Sequence, residues 1–134
     1  MPYRRVTYRS ATLRIAAQSW PFGGAWEHET LRLLVYARWR PAADMAETTR
    51  SIEVTVDLAG VDEDDFEVQL FDNGLVVEGR RQLPSCGKDA VYHAAGIPQG
   101  FFRVELPLPA PIDPDGVEAR YERGLLHVTL PKRS

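Results

Sequence analysis

The sequence predicts an all-β domain, an antiparallel β-sandwich, from residue 51 onward. Three observations lead to this: alternation of apolar and polar residues in several short segments, turn residues between those segments, and ten Gly and ten Pro in a chain of 134 residues. With 44% hydrophobic and 26% charged residues, the chain has an ordinary globular composition and the length of one domain. A two-domain enzyme with an interdomain cleft is therefore not expected.

The first predicted strands of the sandwich lie between residues 51 and 79. In Ser51–Leu58, apolar and polar residues alternate and β-branched residues are frequent, as in a half-buried strand. The acidic run Asp62–Asp65 separates it from a second alternating segment, Phe66–Leu70. The pair Asn73–Gly74 predicts a tight hairpin turn with positive φ angles, which leads into a partner strand at Leu75–Gly79.

The second half of the predicted sandwich begins with a long connection, residues 83–99. A connection of this length in a compact domain usually has a function or is mobile, and its middle, Ala90–His93, has the pattern of one short strand. Further strands are predicted at Phe101–Leu106, Val117–Tyr121 and Leu125–Leu130. A Pro-rich connector and two turns separate them, which is typical of an antiparallel sandwich.

The beginning of the chain differs in composition from the rest. Residues 1–44 contain seven Arg and three acidic residues, a net charge of +4, whereas residues 45–134 have a net charge of −7. All three Trp lie in the first part. The apolar spacing in Glu29–Trp39 predicts a helix of about three turns, which Pro41 ends. Such an arm cannot build a core of its own, so its aromatic side chains are covered by another surface or remain partly exposed.

Several motifs after Trp39 occur in the order found in one known family. They are Trp39–Thr48, Val56–Val61 with the acidic run and Phe66–Val68 behind it, Asn73–Arg81, Ala119–Leu126, and Leu130–Lys132. This part of the chain resembles the α-crystallin domain of small heat-shock proteins of the bacterial type. Its signature residues here are Ala119, Gly124, Leu125 and Leu126, with Arg123 where the family usually has Asn.

The signature also has a physical reason. Gly124 suits a tight turn in which any Cβ is costly. Leu125, or Leu126 on the opposite face, then starts a strand whose alternate side chains fill the sandwich. Which of the two leucines faces the core is left open by the sequence.

The resemblance implies an immunoglobulin-like β-sandwich with further parts at both ends. The expected division is a partly helical or irregular N-terminal arm at residues 1–40, the sandwich at 41–132, and a vestigial tail at 133–134. It also implies an edge groove between the predicted strands Phe66–Leu70 and Val117–Tyr121. Alternation alone leaves open which of their residues face the core instead. The candidate lining residues are Phe66, Val68, Leu70, Val117, Ala119 and Tyr121.

In the family, an Ile/Val-x-Ile/Val tripeptide after the last strand docks into this groove on a neighbouring subunit. That tripeptide is absent after Leu130, so a large assembly linked by tails is not expected. The segment Leu13–Ile15 has the same apolar-x-apolar spacing. We therefore expect it to dock at the groove, in cis or in trans, by addition to a strand edge. A second departure is that Phe101–Glu105 is less basic than the corresponding family strand, which weakens the expectation of a salt bridge between subunits.

The resemblance implies a dimer made by the long connection. In bacterial-type members, a strand in this connection pairs with the first strand of the partner's domain. The candidates here are Val91, Tyr92 and His93, pairing with residues around 44–47. A homodimer or a larger homo-oligomer is therefore expected.

The sequence offers no catalytic, metal or cofactor site. His28, His93 and His127 are dispersed, and the acidic run lacks the glycine and the closing glutamate of a calcium-binding hand. Cys86 has no predicted base beside it, so an inert thiol is favoured over a disulfide between subunits. Without a Gly-rich phosphate loop, use of ATP is not expected. The net charge of −3 argues against a nucleic-acid partner, and no apolar run of about 18 residues is present.

The resemblance therefore implies an ATP-independent chaperone, a holdase that binds unfolding client proteins through apolar surface. The arm supplies the candidate client contacts: Trp20, Phe22, Trp26, Leu31, Leu34, Tyr36 and Trp39. Packing of these residues on the chain's own sandwich, or on a partner's arm, is an equal alternative. A CS-domain-type adaptor that binds a specific folded partner is the alternative function, and a role at a membrane surface is a third. Residues 1–20 weakly resemble a transit peptide, but the arm's apolar content continues beyond any cleavage point, so the cytoplasm is expected.

Overall fold

The computed structural model describes residues 3–8, 11–16 and 38–134, with side chains from Trp39 onward. The described residues form ten strands and two short 3₁₀ turns, Glu63–Asp65 and Pro114–Gly116. The strands are β1 (Tyr3–Tyr8), β2 (Ala11–Ala16), β3 (Arg38–Trp39), β4 (Ala43–Glu47), β5 (Ser51–Asp57), β6 (Phe66–Phe71), β7 (Gly74–Arg81), β8 (Gly100–Pro107), β9 (Glu118–Glu122) and β10 (Leu125–Pro131).

The strands form two sheets. One has the order β1-β2-β6-β7-β8-β3 and the other the order β4-β5-β10-β9. Strand pairs are antiparallel except for β2 with β6 and β3 with β8, which are parallel. The sandwich predicted for the second part of the chain is thus confirmed, and strands from the first part extend one of its sheets.

The core lies between the two sheets and follows the alternation of the strands. Along β5, β6 and β10, every second side chain is buried, and its neighbours are half-buried or exposed. The largest fully buried side chain is Phe102 on β8. Since burying one large apolar side chain contributes about 1.5–3 kcal/mol, this alternation fixes the register of each strand.

The two hairpin turns differ in their backbone. Between β9 and β10, Arg123 and Gly124 have φ angles of 54° and 79°, as a two-residue turn of type I′ requires. The expectation of positive φ at Asn73–Gly74 is wrong, since neither residue has it. Because Phe71 pairs with Gly74, the turn residues are Asp72 and Asn73, and Gly74 belongs to β7.

Two local predictions differ from the structure. The helix predicted at Glu29–Trp39 is wrong for its last two residues, because Arg38 and Trp39 form β3 beside β8. The rest of the predicted helix lies outside the described residues. Residues Ala90–His93 form no strand, since none of the described strands pairs with them in the single chain. In addition, β1 and β2 form a hairpin in the arm, for which a partly helical or irregular structure was expected.

Candidate functional site

The predicted edge groove is lined mainly by residues that belong to the core between the sheets. Of its six candidate residues, five are buried: Phe66, Val68, Leu70, Val117 and Ala119. Strand β2 pairs in parallel with β6 and also contacts β9, so it runs along the edge where the groove was predicted. The pairing sets Leu13 opposite Val68 and Ile15 opposite Leu70. Addition of the segment Leu13–Ile15 to this edge is therefore present in the structure, and it occurs in cis.

Tyr121, the sixth candidate, is half-buried and holds a corner of the sandwich. Its ring meets the ring of Phe66 edge-on, with centroids 5.0 Å apart. Its hydroxyl lies 2.7 Å from the carbonyl oxygens of both Leu58 and Val61, to which it donates. Burial raises the pKa of Tyr121 above its usual value. The hydrogen bond to the Val61 carbonyl lowers this pKa in part, whereas the carboxylates of Asp62, Glu63 and Asp57 raise it further.

Trp39 is the only one of the seven arm candidates that the structure describes. It is half-buried, packs on Phe102 at 5.4 Å between centroids, and donates from Nε1 to the Gly100 carbonyl oxygen at 3.1 Å. The Arg81 guanidinium lies over the ring at 4.3 Å from its centroid. These contacts make Trp39 part of the sandwich. The other six candidates, Trp20, Phe22, Trp26, Leu31, Leu34 and Tyr36, lie outside the described residues.

Arg81 is a buried cation that the sequence analysis did not single out. Its Nε and Nη2 donate to the Pro98 carbonyl oxygen at 3.0 and 2.6 Å, and its Nη1 donates to the Ala59 carbonyl oxygen at 3.0 Å. It therefore joins the end of the long connection, the turn after β5 and, through Trp39, the start of the domain. A pair of adjacent arginines at the end of β7 was the available signal, but alternation does not show which of the two is buried.

The exposed large apolar side chains of the described residues are concentrated in one segment. Val91 is 75% exposed, Tyr92 57%, Ile97 63% and Phe101 56%. The dimer candidates Val91, Tyr92 and His93 are therefore all accessible in the single chain. Ile97 and Phe101 were missed, although Phe101 is out of phase with the inward-facing positions of β8, and this phase was visible in the sequence.

Strand β4 forms one end of the second sheet. Within the described residues its neighbour is β5 alone, so its other edge is open for a further strand. This strand contains residues 44–47, which were expected to pair with a partner's loop. Open edges of this kind favour pairing with another chain.

The signature residues lie in the last hairpin. A Cβ on Gly124 would come within 2.9 Å of the Ala59 Cα. Ala119 and Leu126 are buried, whereas Leu125 is 36% exposed, so Leu126 is the leucine that fills the core. The Gly124 carbonyl oxygen also accepts a bond from the Leu58 amide at 2.8 Å, which ties this turn to the end of β5.

Other candidate groups are dispersed in the structure. The described residues contain no cluster of His, Cys, Asp and Glu that could hold a metal ion. They also contain no helix with the length and hydrophobicity needed to span a bilayer.

Cys86 is exposed, and its Sγ lies 3.9 Å from the Tyr92 hydroxyl, a hydrogen bond that raises the Tyr92 pKa. Arg103 pairs with Glu78 at 2.7 Å and Glu105 at 3.0 Å inside the chain.

Solved structures share this fold. Heat shock protein 16.0 from Schizosaccharomyces pombe matches with a TM-score of 0.64 and 30% identity, over 70% of this chain and 87% of that one. The hspA protein from Xanthomonas axonopodis matches with a TM-score of 0.63 and 29% identity, over 71% of this chain and 95% of that one.

Sequence relatives agree with the structural matches. Small heat shock protein C2 of Rickettsia felis is 32% identical over 93 residues, which are 69% of this chain and 60% of that protein. Spore protein SP21 of Stigmatella aurantiaca is 36% identical over 93 residues, 69% of this chain and 55% of that protein. The chain thus spans little more than half the length of these two relatives. The model of the Hsp20/alpha crystallin family matches residues 44–134. The sandwich has the topology of the solved small heat shock proteins, and the family's motif lies at its last hairpin. Because the family model also matches most of its length, the chain belongs to the Hsp20/alpha crystallin family of small heat shock proteins.

Proposed function

We propose that this chain is an ATP-independent holdase, which binds partly unfolded proteins and prevents their aggregation. The observation that carries the proposal is the exposed apolar surface of Ile97 and Phe101, outside the proposed dimer strand, on a domain whose strands already bury a full core. Removing apolar surface from water contributes about 25 cal/mol for each Å², so such a surface binds unfolding chains without a nucleotide. Relatives named as small heat shock proteins support this function.

The arm is proposed as a second client-binding surface. Its candidate contacts are Trp20, Phe22, Trp26, Leu31, Leu34 and Tyr36, which are aromatic or aliphatic and adapt to many partners. Trp39 is not included, because its contacts lie within the sandwich. The cytoplasm is proposed as the place of action.

Light scattering tests the holdase function. A heat-labile enzyme is warmed alone and with this protein at equal and at substoichiometric ratios, without nucleotide. We expect scattering to fall as the ratio rises, with a similar fall when ATP is added. Scattering that stays as high as with an inert protein of equal mass contradicts the proposal.

We also propose a homodimer in which residues 91–93 pair with the partner's β4. The open edge of β4 and the accessible apolar side chains of the loop support this pairing. A variant lacking residues 87–95 is expected to elute as a monomer in gel filtration. The matched control is Cys86→Ser, which keeps the loop and should stay dimeric. A dimer that persists without the loop rules out this pairing.

A further inference from the structure

Two exposed apolar side chains stand on either side of a short backbone segment at the end of the long connection. Ile97 and Phe101 are each more than half exposed, and residues 98–100 lie between them. Four residues of fully extended chain span at most about 14 Å, so the Cα atoms of Ile97 and Phe101 are no farther apart than that. One extended segment of an unfolding protein is long enough to contact both side chains at once.

Two side chains from other parts of the sequence hold both ends of this segment. The Pro98 carbonyl oxygen accepts from Arg81 Nε at 3.0 Å and from Nη2 at 2.6 Å. The Gly100 carbonyl oxygen accepts from Trp39 Nε1 at 3.1 Å. Since the Arg81 guanidinium also lies 4.3 Å from the centroid of the Trp39 ring, the two contacts belong to one cluster. We call Arg81 and Trp39 together the clamp.

The held segment has two further constraints. The Gln99 side chain accepts a hydrogen bond from the Leu83 amide at 3.3 Å, which ties the end of the connection to its beginning. Gly100 has a φ angle of 94°, a conformation that strains residues with a Cβ. Among the described residues, no atom beyond the chain neighbours of Gly100 lies within 4 Å of the place of that Cβ, so the backbone and not crowding requires the glycine. The segment therefore has one specified conformation as it enters β8.

The clamp fixes backbone that supports exposed apolar side chains. Burial of the Arg81 guanidinium costs free energy because the charge leaves water, and hydrogen bonds to the Pro98 and Ala59 carbonyl oxygens offset part of this cost. A surface that is ordered in advance loses less conformational entropy when it binds. Ile97 and Phe101 on a fixed backbone therefore bind an apolar segment more tightly than the same side chains on a mobile loop.

We infer that the clamp positions the client contact: Arg81 and Trp39 hold residues 98–100 so that Ile97 and Phe101 form one ordered apolar surface. This inference rests on the proposed holdase function and adds two residues to it. Neither Arg81 nor Trp39 has to contact a client, because both act through the backbone between the two exposed side chains. Both are therefore positioning residues for client capture.

Trp39→Phe tests one end of the clamp. Phenylalanine keeps an aromatic ring but removes the hydrogen bond to the Gly100 carbonyl oxygen. We expect hydrogen exchange at the amides of residues 99–102, followed by mass spectrometry, to become at least about threefold faster. In light scattering with a heat-labile enzyme, equal protection should require about threefold more protein than with the wild type. Wild-type protection by Trp39→Phe overturns the inference.

Tyr121→Phe is the matched control. It also removes a donor that an aromatic side chain directs at backbone carbonyl oxygens, but Tyr121 belongs to β9 in the other sheet. This variant should lower the free energy of unfolding in urea while client protection stays at the wild-type ratio. A loss of protection equal to that of Trp39→Phe would show that stability alone is the cause, and it overturns the inference.

A double-mutant comparison separates positioning from a general structural role. If Trp39 acts through the two exposed side chains, Trp39→Phe costs no further protection in the Ile97→Ser/Phe101→Ser background. A purely structural role lowers protection by the same factor in both backgrounds, and that result overturns the inference. At the other end of the clamp, Arg81→Lys keeps a cation that donates to the Pro98 oxygen, so it should protect better than Arg81→Met. Equal protection by these two variants removes Arg81 from the clamp.

The proposed function fails in a different way. A wild type that leaves scattering as high as an inert protein does contradicts the holdase function, and the inference falls with it. A wild type that protects, together with a Trp39→Phe variant that keeps wild-type hydrogen exchange and wild-type protection, overturns the inference alone.

Discussion

Single residues set the tightest parts of this sandwich. Gly124 is confined by the Ala59 Cα, which a Cβ would approach to 2.9 Å, and its neighbour Arg123 is the one non-glycine residue with positive φ in the described chain. Positive φ costs conformational free energy for most L-residues, and the cost is smallest for Asn. Tyr121 acts on the other side of the same corner through the carbonyl oxygens of Leu58 and Val61.

Replacing Arg123 by Asn should stabilise the protein. The side chain of Arg123 is exposed, so the substitution acts mainly by relieving its left-handed backbone. We expect the free energy of unfolding to rise by about 0.5–1 kcal/mol in urea titrations. Arg123→Ala is the control, since Ala gains nothing at positive φ. Equal stabilisation by both substitutions would show that the backbone is not the cause.

Replacing Tyr121 by Phe should lower stability in a pH-dependent way. Loss of the hydroxyl leaves the Leu58 and Val61 carbonyl oxygens without this donor and should cost about 1–2 kcal/mol at neutral pH. Folding raises the pKa of Tyr121 above 10.0, so the folded state favours the protonated hydroxyl. Its contribution is complete below pH 10.0 and is lost as the pH rises through the folded pKa.

Urea titrations at several pH values check this. The difference in unfolding free energy between the wild type and Tyr121→Phe should stay constant up to about pH 9 and shrink above pH 10.0. A difference that grows with pH in this range contradicts the assigned direction.

At the scale of elements, the long connection between β7 and β8 is anchored at its end and exposed in its middle. Arg81 bonds to Pro98, and Trp39 bonds to Gly100, so the last residues of the connection are fixed to the sandwich. Its apolar residues Val91, Tyr92 and Ile97 stay accessible. The anchor therefore fixes the place where the connection rejoins the sandwich at β8.

Replacing Arg81 by Met should loosen the connection. The substitution removes three hydrogen bonds to the Pro98 and Ala59 carbonyl oxygens, and the free energy of unfolding should fall by about 1–3 kcal/mol. Limited digestion with chymotrypsin should cut within residues 83–99 faster than in the wild type. Arg80→Met is the control, because Arg80 is exposed and its loss should change stability by less than about 0.5 kcal/mol. Equal cleavage rates in both variants would remove the anchoring role of Arg81.

At the scale of the whole molecule, the sandwich was predictable because several of its strands have one buried face and one face that is half-buried or exposed. Ser51–Asp57, Phe66–Phe71 and Leu125–Pro131 alternate so regularly that the strands themselves could be assigned from them. The same signal identified Leu13–Ile15 as a candidate edge strand, and its parallel pairing with β6 agrees.

Contacts between distant segments were not visible in the sequence. Trp39 fits an apolar helical stripe as well as a strand, and only its contacts with Arg81 and Gly100 decide for the strand. Alternation also left open which groove candidates are buried, because the inward-facing residues of a strand can line either the core or a groove at the sheet edge. Arg81 was missed for a similar reason: its partners are backbone oxygens about twenty residues away in either direction, which no side-chain pattern records.

The measurement that tests the central claim most directly is client protection by Ile97→Ser/Phe101→Ser. These residues are exposed and lie outside the proposed dimer strand, so the variant removes apolar surface while it keeps the fold and residues 91–93. The control is Leu125→Ser, an exposed leucine at the last hairpin. In light scattering with a heat-labile enzyme, we expect the double variant to require roughly tenfold more protein than the wild type for equal protection, a loss of about 1.4 kcal/mol in binding, while Leu125→Ser stays near the wild type. Protection by the double variant at wild-type ratios would contradict the account.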